Sequence, residues 1–234
     1  MRQFRSMITA ATWLTLTVSG ALAAPPDTAI VGEFRIDRAE VTVGAFRRFA
    51  EGAGLRTVAE REGGGFEYEG GWRRRAGWTY LRPYGDADAT TDEPAVHVTW
   101  SEASTYCASL GGRLPTAAEW RRAAYTEGRE TPPAGLQTAR TYPYPSGERP
   151  DGMWITTAGA RRHRTVGAEP PGVNGLHDMG GNVWEWLADR RGAEALTAGG
   201  SWWYGAAQTK ADGLQWKDAG FYAVYIGFRC VYDR

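Results

Sequence analysis

The chain has 234 residues, with 27 basic and 27 acidic side chains, 42% hydrophobic residues, 12% aromatic residues and two cysteines. That length suits one sizeable core. Balanced charge leaves no electrostatic footprint for nucleic acid or anionic lipid, and two thiols cannot build a four-thiolate zinc site or an iron–sulfur cluster. With 31 Gly and 11 Trp, the composition favours a loop-rich, aromatic-packed fold over a helical bundle. The basic residues are nearly all Arg, with Lys only at 210 and 217.

Arg2 and Arg5 precede a charge-free stretch from Ser6 to Gly20, followed by the small-x-small run Ala21-Leu22-Ala23. A charged head, a short apolar middle and a small-residue exit read as a secretory signal over residues 1–23. The middle holds four Thr and is too short and polar to span ~30 Å of hydrocarbon. The expected mature chain, 24–234, is therefore a single domain without a membrane span, periplasmic or secreted, in a compartment that permits disulfides.

Ala29–Arg38 carries Ile30, Phe34 and Ile36 in a strand-like pattern. Thr42 reads as the N-cap of a helix with Val43, Phe46, Phe49 and Ala50 at helical spacing, stopped by Gly52 and Gly54. Residues 61–84, rich in Gly, Arg and aromatics, suit irregular hairpins, and Pro94–Trp100 alternates Val96, Val98 and Trp100 as a strand would. From Ser101, Ala103, Tyr106, Cys107 and Leu110 fall on one helical face, ended by Gly111-Gly112. Thr116 and Glu119 form a capping box for a second helix with Trp120, Ala123 and Ala124 on its apolar side. Residues 126–171 are Pro- and Gly-rich with little periodicity, and the tail from Trp184 to Tyr232 is aromatic and short-stranded.

Six strings then occur in order: Glu40-Val41-Thr42; Pro94-Ala95-Val96-His97-Val98-Thr99-Trp100; Arg113 to Trp120; Gly175-Leu176-His177-Asp178-Met179-Gly180-Gly181-Asn182-Val183-Trp184-Glu185-Trp186; Gly199-Gly200-Ser201-Trp202; and Gly227-Phe228-Arg229-Cys230. Each alone is weak, but their order closely resembles the formylglycine-generating enzyme (sulfatase-modifying factor) superfamily across essentially all of the mature chain. The resemblance implies an α+β fold, a single compact loop-rich domain related to C-type lectins, with low regular secondary structure.

Cys107 and Cys230 match the superfamily's structural pair, so the resemblance implies one disulfide; a redox or metal-binding pair is the alternative. Copper-dependent members place two thiolates after the Gly-Gly-Ser motif, as soft Cu(I) requires. Those positions are Tyr204 and Thr209 here, so no copper is expected. Iron enzymes of the superfamily use a histidine triad on an added domain. This chain has His97, His163 and His177 only, with His97 read as a core or edge histidine.

Asp178, Gly181, Val183 and Glu185 match the superfamily's calcium site, two carboxylates and two backbone carbonyls on a glycine turn, and imply structural calcium. The competing reading has Asp178 capping a turn and Glu185 paired with an Arg. In the tail, Trp203, Tyr204 and Trp216 are ligand-binding candidates, with Asp212, Lys217 and Asp218 as polar additions.

Three functions remain open at this point. The first is an exported accessory or maturation factor binding a peptide, protein or glycan partner. The second is a modifying enzyme of other chemistry, as in the branch associated with pyoverdine maturation, with Tyr204 or Glu102 as acid–base groups. The third is a structural subunit. An open polar cleft around Tyr204 and Thr209 favours the first two, and a filled aromatic core the third.

Overall fold

The computed structural model describes residues 27–234; the expected signal segment 1–23 lies outside the described residues. The chain opens as an antiparallel hairpin, β1 (Thr28–Val31) and β2 (Phe34–Asp37), turning at Gly32-Glu33, where the sequence suggested one continuous strand. The final strand β9 (Val231–Asp233) pairs with β2, so the two ends of the domain close on each other. Helix α1 (Val43–Ala53) is capped by Thr42, whose hydroxyl accepts from Ala45 N at 3.2 Å. It ends at Gly54 rather than Gly52, because Gly54 takes the left-handed conformation (φ 61°) that closes a helix.

The short helix α2 (Val58–Arg61) was not anticipated, although Thr57-Val58-Ala59-Glu60 is itself a capping box: Glu60 N donates to Thr57 Oγ1 at 3.3 Å and Thr57 N to Glu60 Oε2 at 2.7 Å. Strands β3 (Gly64–Tyr68) and β4 (Trp72–Ala76) form the expected hairpin. Pro94–Trp100 is not a strand. His97 sits at φ 57°, which breaks the extended alternation, and Thr99 with Glu102 caps α3 (Trp100–Ser109). Helix α4 (Ala117–Tyr125) follows its predicted capping box.

Beyond a long irregular stretch lies the sheet that organises the domain, in the order β7-β6-β5-β8. Its strands are β5 (Trp184–Arg191), β6 (Glu194–Ala198), β7 (Gln215–Asp218) and β8 (Ile226–Gly227), with β8 parallel to β5. Strand alternation divides the core in two. On one face Trp184, Trp186 and Ala195 join Phe46, Tyr106, Trp202, Tyr225 and Phe228; on the other Leu187, Leu196 and Ala198 meet Trp120 and the β1–β2 hairpin. Cys107 and Cys230 are joined by a disulfide with Cα atoms 5.5 Å apart, tying α3 to the start of the last strand. Among the described residues, no helix is long and apolar enough to cross a membrane.

Candidate functional site

The Gly-Gly-Asn turn and the Gly-Gly-Ser loop are clamped together by Gly181 N donating to Gly199 O and Trp202 N to Asn182 O, both at 2.9 Å. Gly181 is required there: φ is +94°, and a Cβ would approach Trp154 O to 2.6 Å. This clamp sets Trp202, Trp203 and Tyr204 beside the start of β5. Thr156 fixes the last of them, its N and Oγ1 each donating to Tyr204 O at 3.0 Å.

Tyr204 and Thr209 do not share a cleft. Tyr204 is half-buried against Trp184 (centroids 5.4 Å) and Tyr225 (6.5 Å). Thr209 is wholly buried, its hydroxyl donating to Ala206 O at 2.9 Å and its carbonyl accepting from Tyr125 Oη at 2.8 Å. Beside it, the cavity lined by Met153, Asp178 and Gly180 has a volume of about 20 Å³, room for about one water.

Tyr204 belongs instead to an aromatic surface. Trp203 (43% exposed), Trp72 (48%) and Tyr68 (44%) are its open members. Trp203 stacks on Tyr225 at 6.5 Å, Trp72 meets Tyr225 at 5.7 Å and Phe221 at 4.5 Å, and Tyr68 meets Trp72 at 5.5 Å. The β3–β4 hairpin thus brings two aromatics to the tail's platform that sequence reasoning missed. Period-two spacing within the hairpin gave no hint of which distant segment it would meet. Trp216 is not part of this surface. As an even-numbered neighbour of Lys217 on β7 it points to the opposite face, packing with the second core while Arg191 lies 4.5 Å over its ring. Asp212 and Asp218 are exposed, and Asp218 Oδ1 only accepts from Gly220 N.

Among the described residues, two buried donors in this aromatic cluster, Trp202 Nε1 and Tyr225 Oη, have no hydrogen-bond partner. Burial raises the Tyr225 phenol far above its ordinary value, and the neighbouring Tyr204, Glu67 and Tyr68 raise it further. Burial likewise raises Tyr204. A phenol so held donates hydrogen bonds but does not surrender its proton near neutrality.

The other acid–base candidate is structural. Glu102 Oε2 accepts from Thr99 N and Thr99 Oγ1 at 2.8 Å, and Oε1 accepts from Val58 N at 2.6 Å, so it holds the start of α3 to α2. His97 is a core histidine, as expected, hydrogen-bonded through Nε2 to Pro83 O at 2.9 Å; burial lowers it to about 4.

The residues matched to calcium meet differently. Glu185 is wholly buried and bound by Arg229, Nη2 to Oε1 at 2.7 Å and Nε to Oε2 at 2.8 Å, while Trp120 Nε1 donates to Oε2 at 2.8 Å. Asp178 Oδ2 accepts from Gly167 N at 2.6 Å. Gly181 and Val183 lie in the turn and at its exit, and the Val183 N–H faces Glu40 Oε1 at 3.4 Å. As arranged, both Glu185 oxygens are taken by the Arg229 guanidinium and Trp120, so this carboxylate faces a cationic side chain where the calcium reading needs an open ligand. The arginine-paired reading describes Glu185, and Asp178 fastens the 167 loop.

Comparison with known proteins places this geometry. The fold is that of PvdO from Pseudomonas aeruginosa (TM-score 0.65, 20% identity, covering 86% of this chain and 80% of that one) and CarF (TM-score 0.60, 23% identity, 86% of each). The family model "Sulfatase-modifying factor enzyme 1-like domain" matches residues 6–234, and the chain belongs to that family. Among its relatives are the formylglycine-generating enzyme of Thermomonospora curvata (32% identity over 198 residues, 70% of this chain and 62% of that protein) and that of Bos taurus (30% over 201 residues, 71% and 51%). The hercynine oxygenase of Mycolicibacterium thermoresistibile is also similar (35% over 172 residues, 68% and 36%). The chain thus spans between about a third and three-fifths of the length of these curated relatives.

Proposed function

We propose that this protein is an exported, copper-independent accessory or maturation factor that binds a peptide, protein or glycan partner across the platform of Tyr68, Trp72, Trp203 and Tyr204. The observation that carries this reading is the pairing of two features at one place. Where copper-dependent relatives need thiolates, the chain has a half-buried phenol and an internally satisfied hydroxyl, and both cysteines are spent in the disulfide. Around that same phenol, three large aromatics stand nearly half exposed. Rigid aromatic faces give contact area at low entropic cost, and three such rings joined through Tyr225 are more telling than rings exposed singly.

The two acid–base candidates of the modifying-enzyme reading are engaged elsewhere. Glu102 is consumed by caps, and Tyr204 is held protonated. Export rests on the N-terminal pattern of residues 1–23 and on the disulfide. The reading is tested by probing peptide and oligosaccharide arrays with the mature protein and its Trp72→Ala/Trp203→Ala variant. Signals on the wild type that vanish in a variant of unchanged melting temperature support it; arrays that do not distinguish the two proteins overturn it.

A further inference from the structure

His163 links two polar groups beside the aromatic cluster. Its side chain is wholly buried, with Nε2 2.9 Å from Glu93 Oε2 and Nδ1 3.1 Å from Tyr84 Oη. A carboxylate only accepts, so Nε2 carries the hydrogen and the neutral ring turns its Nδ1 lone pair toward the phenol. Tyr84 Oη in turn accepts from His163 N at 2.9 Å, which aims its own hydrogen at Nδ1. Glu93 stays ionised: the bond from His163 holds its carboxyl below the usual range, and Oε1 accepts from Thr90 N at 2.8 Å. Hydroxyl, base and counter-charge thus stand in series.

Among the described residues Tyr84 alone donates to an imidazole. Tyr222 has a carboxylate acceptor, Glu62 Oε2 at 2.8 Å, and Tyr125 a carbonyl, Thr209 O at 2.8 Å. Imidazole is ordinarily the strongest base of the three. The Tyr84 ring is also connected to the surface. Its centroid is 6.4 Å from that of Trp202, which lies 5.4 Å from Trp203, 43% exposed on the platform. Phenol and indole are among the side chains most readily oxidised by one electron, and these three form an unbroken file.

Both stepwise oxidations of this phenol are disfavoured. Losing the proton first is opposed by burial, which raises Tyr84 far above its ordinary value. Losing the electron first would leave a cationic ring under the Arg162 guanidinium, which lies 4.4 Å from the centroid and is itself paired with Asp86 at 2.6 Å. When proton and electron leave together the ring stays neutral, and the imidazolium formed meets Glu93.

We propose that Tyr84 is a one-electron redox site, reached from the platform through Trp203 and Trp202. An oxidant at Trp203, an organic radical or a high-valent metal complex, takes one electron. Tyr84 supplies it through the two indoles, its O–H bond breaks, and the proton passes to His163 Nδ1. The products are the reduced oxidant, a neutral Tyr84 phenoxyl and a His163 imidazolium paired with Glu93. Re-reduction returns the proton from the buried ring. The relay does not depend on which ligand the platform binds.

The test is flash photolysis of the disulfide-bonded protein in mildly alkaline buffer, with a tris(bipyridyl)ruthenium photo-oxidant and a cobalt(III) quencher, followed by EPR and ENDOR on frozen samples. The longest-lived radical should be a phenoxyl. In protein carrying ¹⁵N-histidine it should show coupling to a ring nitrogen across the hydrogen bond, a signal read without any substitution. Tyr84→Phe should remove this radical and Tyr222→Phe should leave it. His163→Gln keeps a hydrogen-bonding amide but no base, and should slow radical formation at least about a hundredfold. Trp203→Phe should slow it with the spectrum unchanged. A long-lived radical that persists in Tyr84→Phe, a wild-type phenoxyl without histidine coupling, or equal rates in wild type and folded His163→Gln would each overturn the proposal.

Discussion

Arg229 and Glu185 form a two-pronged ion pair with both side chains wholly buried, at 2.7 and 2.8 Å. Arg229 also donates from Nη1 to Asp37 O at 3.1 Å and from Nη2 to His177 O at 2.8 Å. One guanidinium thus binds β5, the end of β2 and the segment before the Gly-Gly-Asn turn that positions the platform. Breaking it leaves a buried carboxylate uncompensated. Arg229→Met should cost about 3–5 kcal/mol in chemical denaturation, and adding Glu185→Leu should recover most of it. A single-variant cost below about 1 kcal/mol would show that the pair does not hold this junction.

The same pair bears on calcium, which a chelator tests in solution. With Arg229 seated on Glu185, a chelator should leave the melting temperature unchanged. A drop of several degrees, reversed by added Ca²⁺, would mean that an ion displaces the guanidinium.

The disulfide closes a span of 123 residues. Cys107→Ala/Cys230→Ala, or reduction, should destabilise by roughly 4–5 kcal/mol in the chain-entropy view. Equal stability of reduced and oxidised protein would contradict that.

Two carboxyls give the stability profile opposite slopes. Burial raises Asp37 to about 6, against a hydrogen bond from Cys230 N and the charge of Arg229. The folded state therefore holds this proton longer than the unfolded chain. Stability falls as pH rises from about 4 to about 6, by up to roughly 3 kcal/mol. Glu119 is pulled down to about 2 by Arg113 and by its cap to Thr116, so its contribution is complete above about 4.5 and disappears as pH falls toward 2. Asp37→Asn should flatten the first limb and Glu119→Gln the second. Urea midpoints measured across pH 2–7 that ignore both substitutions would refute these assignments.

Local rules read the fold well where the cause was local. Thr42 and Thr116 announced two helices, and the cysteines' family positions announced the disulfide. The reading failed where a distant partner overrode the pattern. Pro94–Trp100 alternates like a strand, yet His97 adopts φ 57° to reach Pro83 O. The site was legible in part. Trp203 and Tyr204 stand on the platform, but Trp216 was lost because its face depended on the register of β6 with β7. Trp72 and Tyr68 were invisible because each is defined by contacts between segments far apart in sequence. Glu185 was ambiguous for the same reason: only the fold decides whether a cation or Arg229 reaches it.

The most direct test of the central claim is the affinity of an array-selected ligand for the mature protein, measured by calorimetry after copper stripping and again with Cu(I) added under reducing conditions. The account predicts the same affinity in both, at least about tenfold weaker in Trp72→Ala/Trp203→Ala. Binding or oxidation of a cysteine peptide that appears only when Cu(I) is supplied would contradict it.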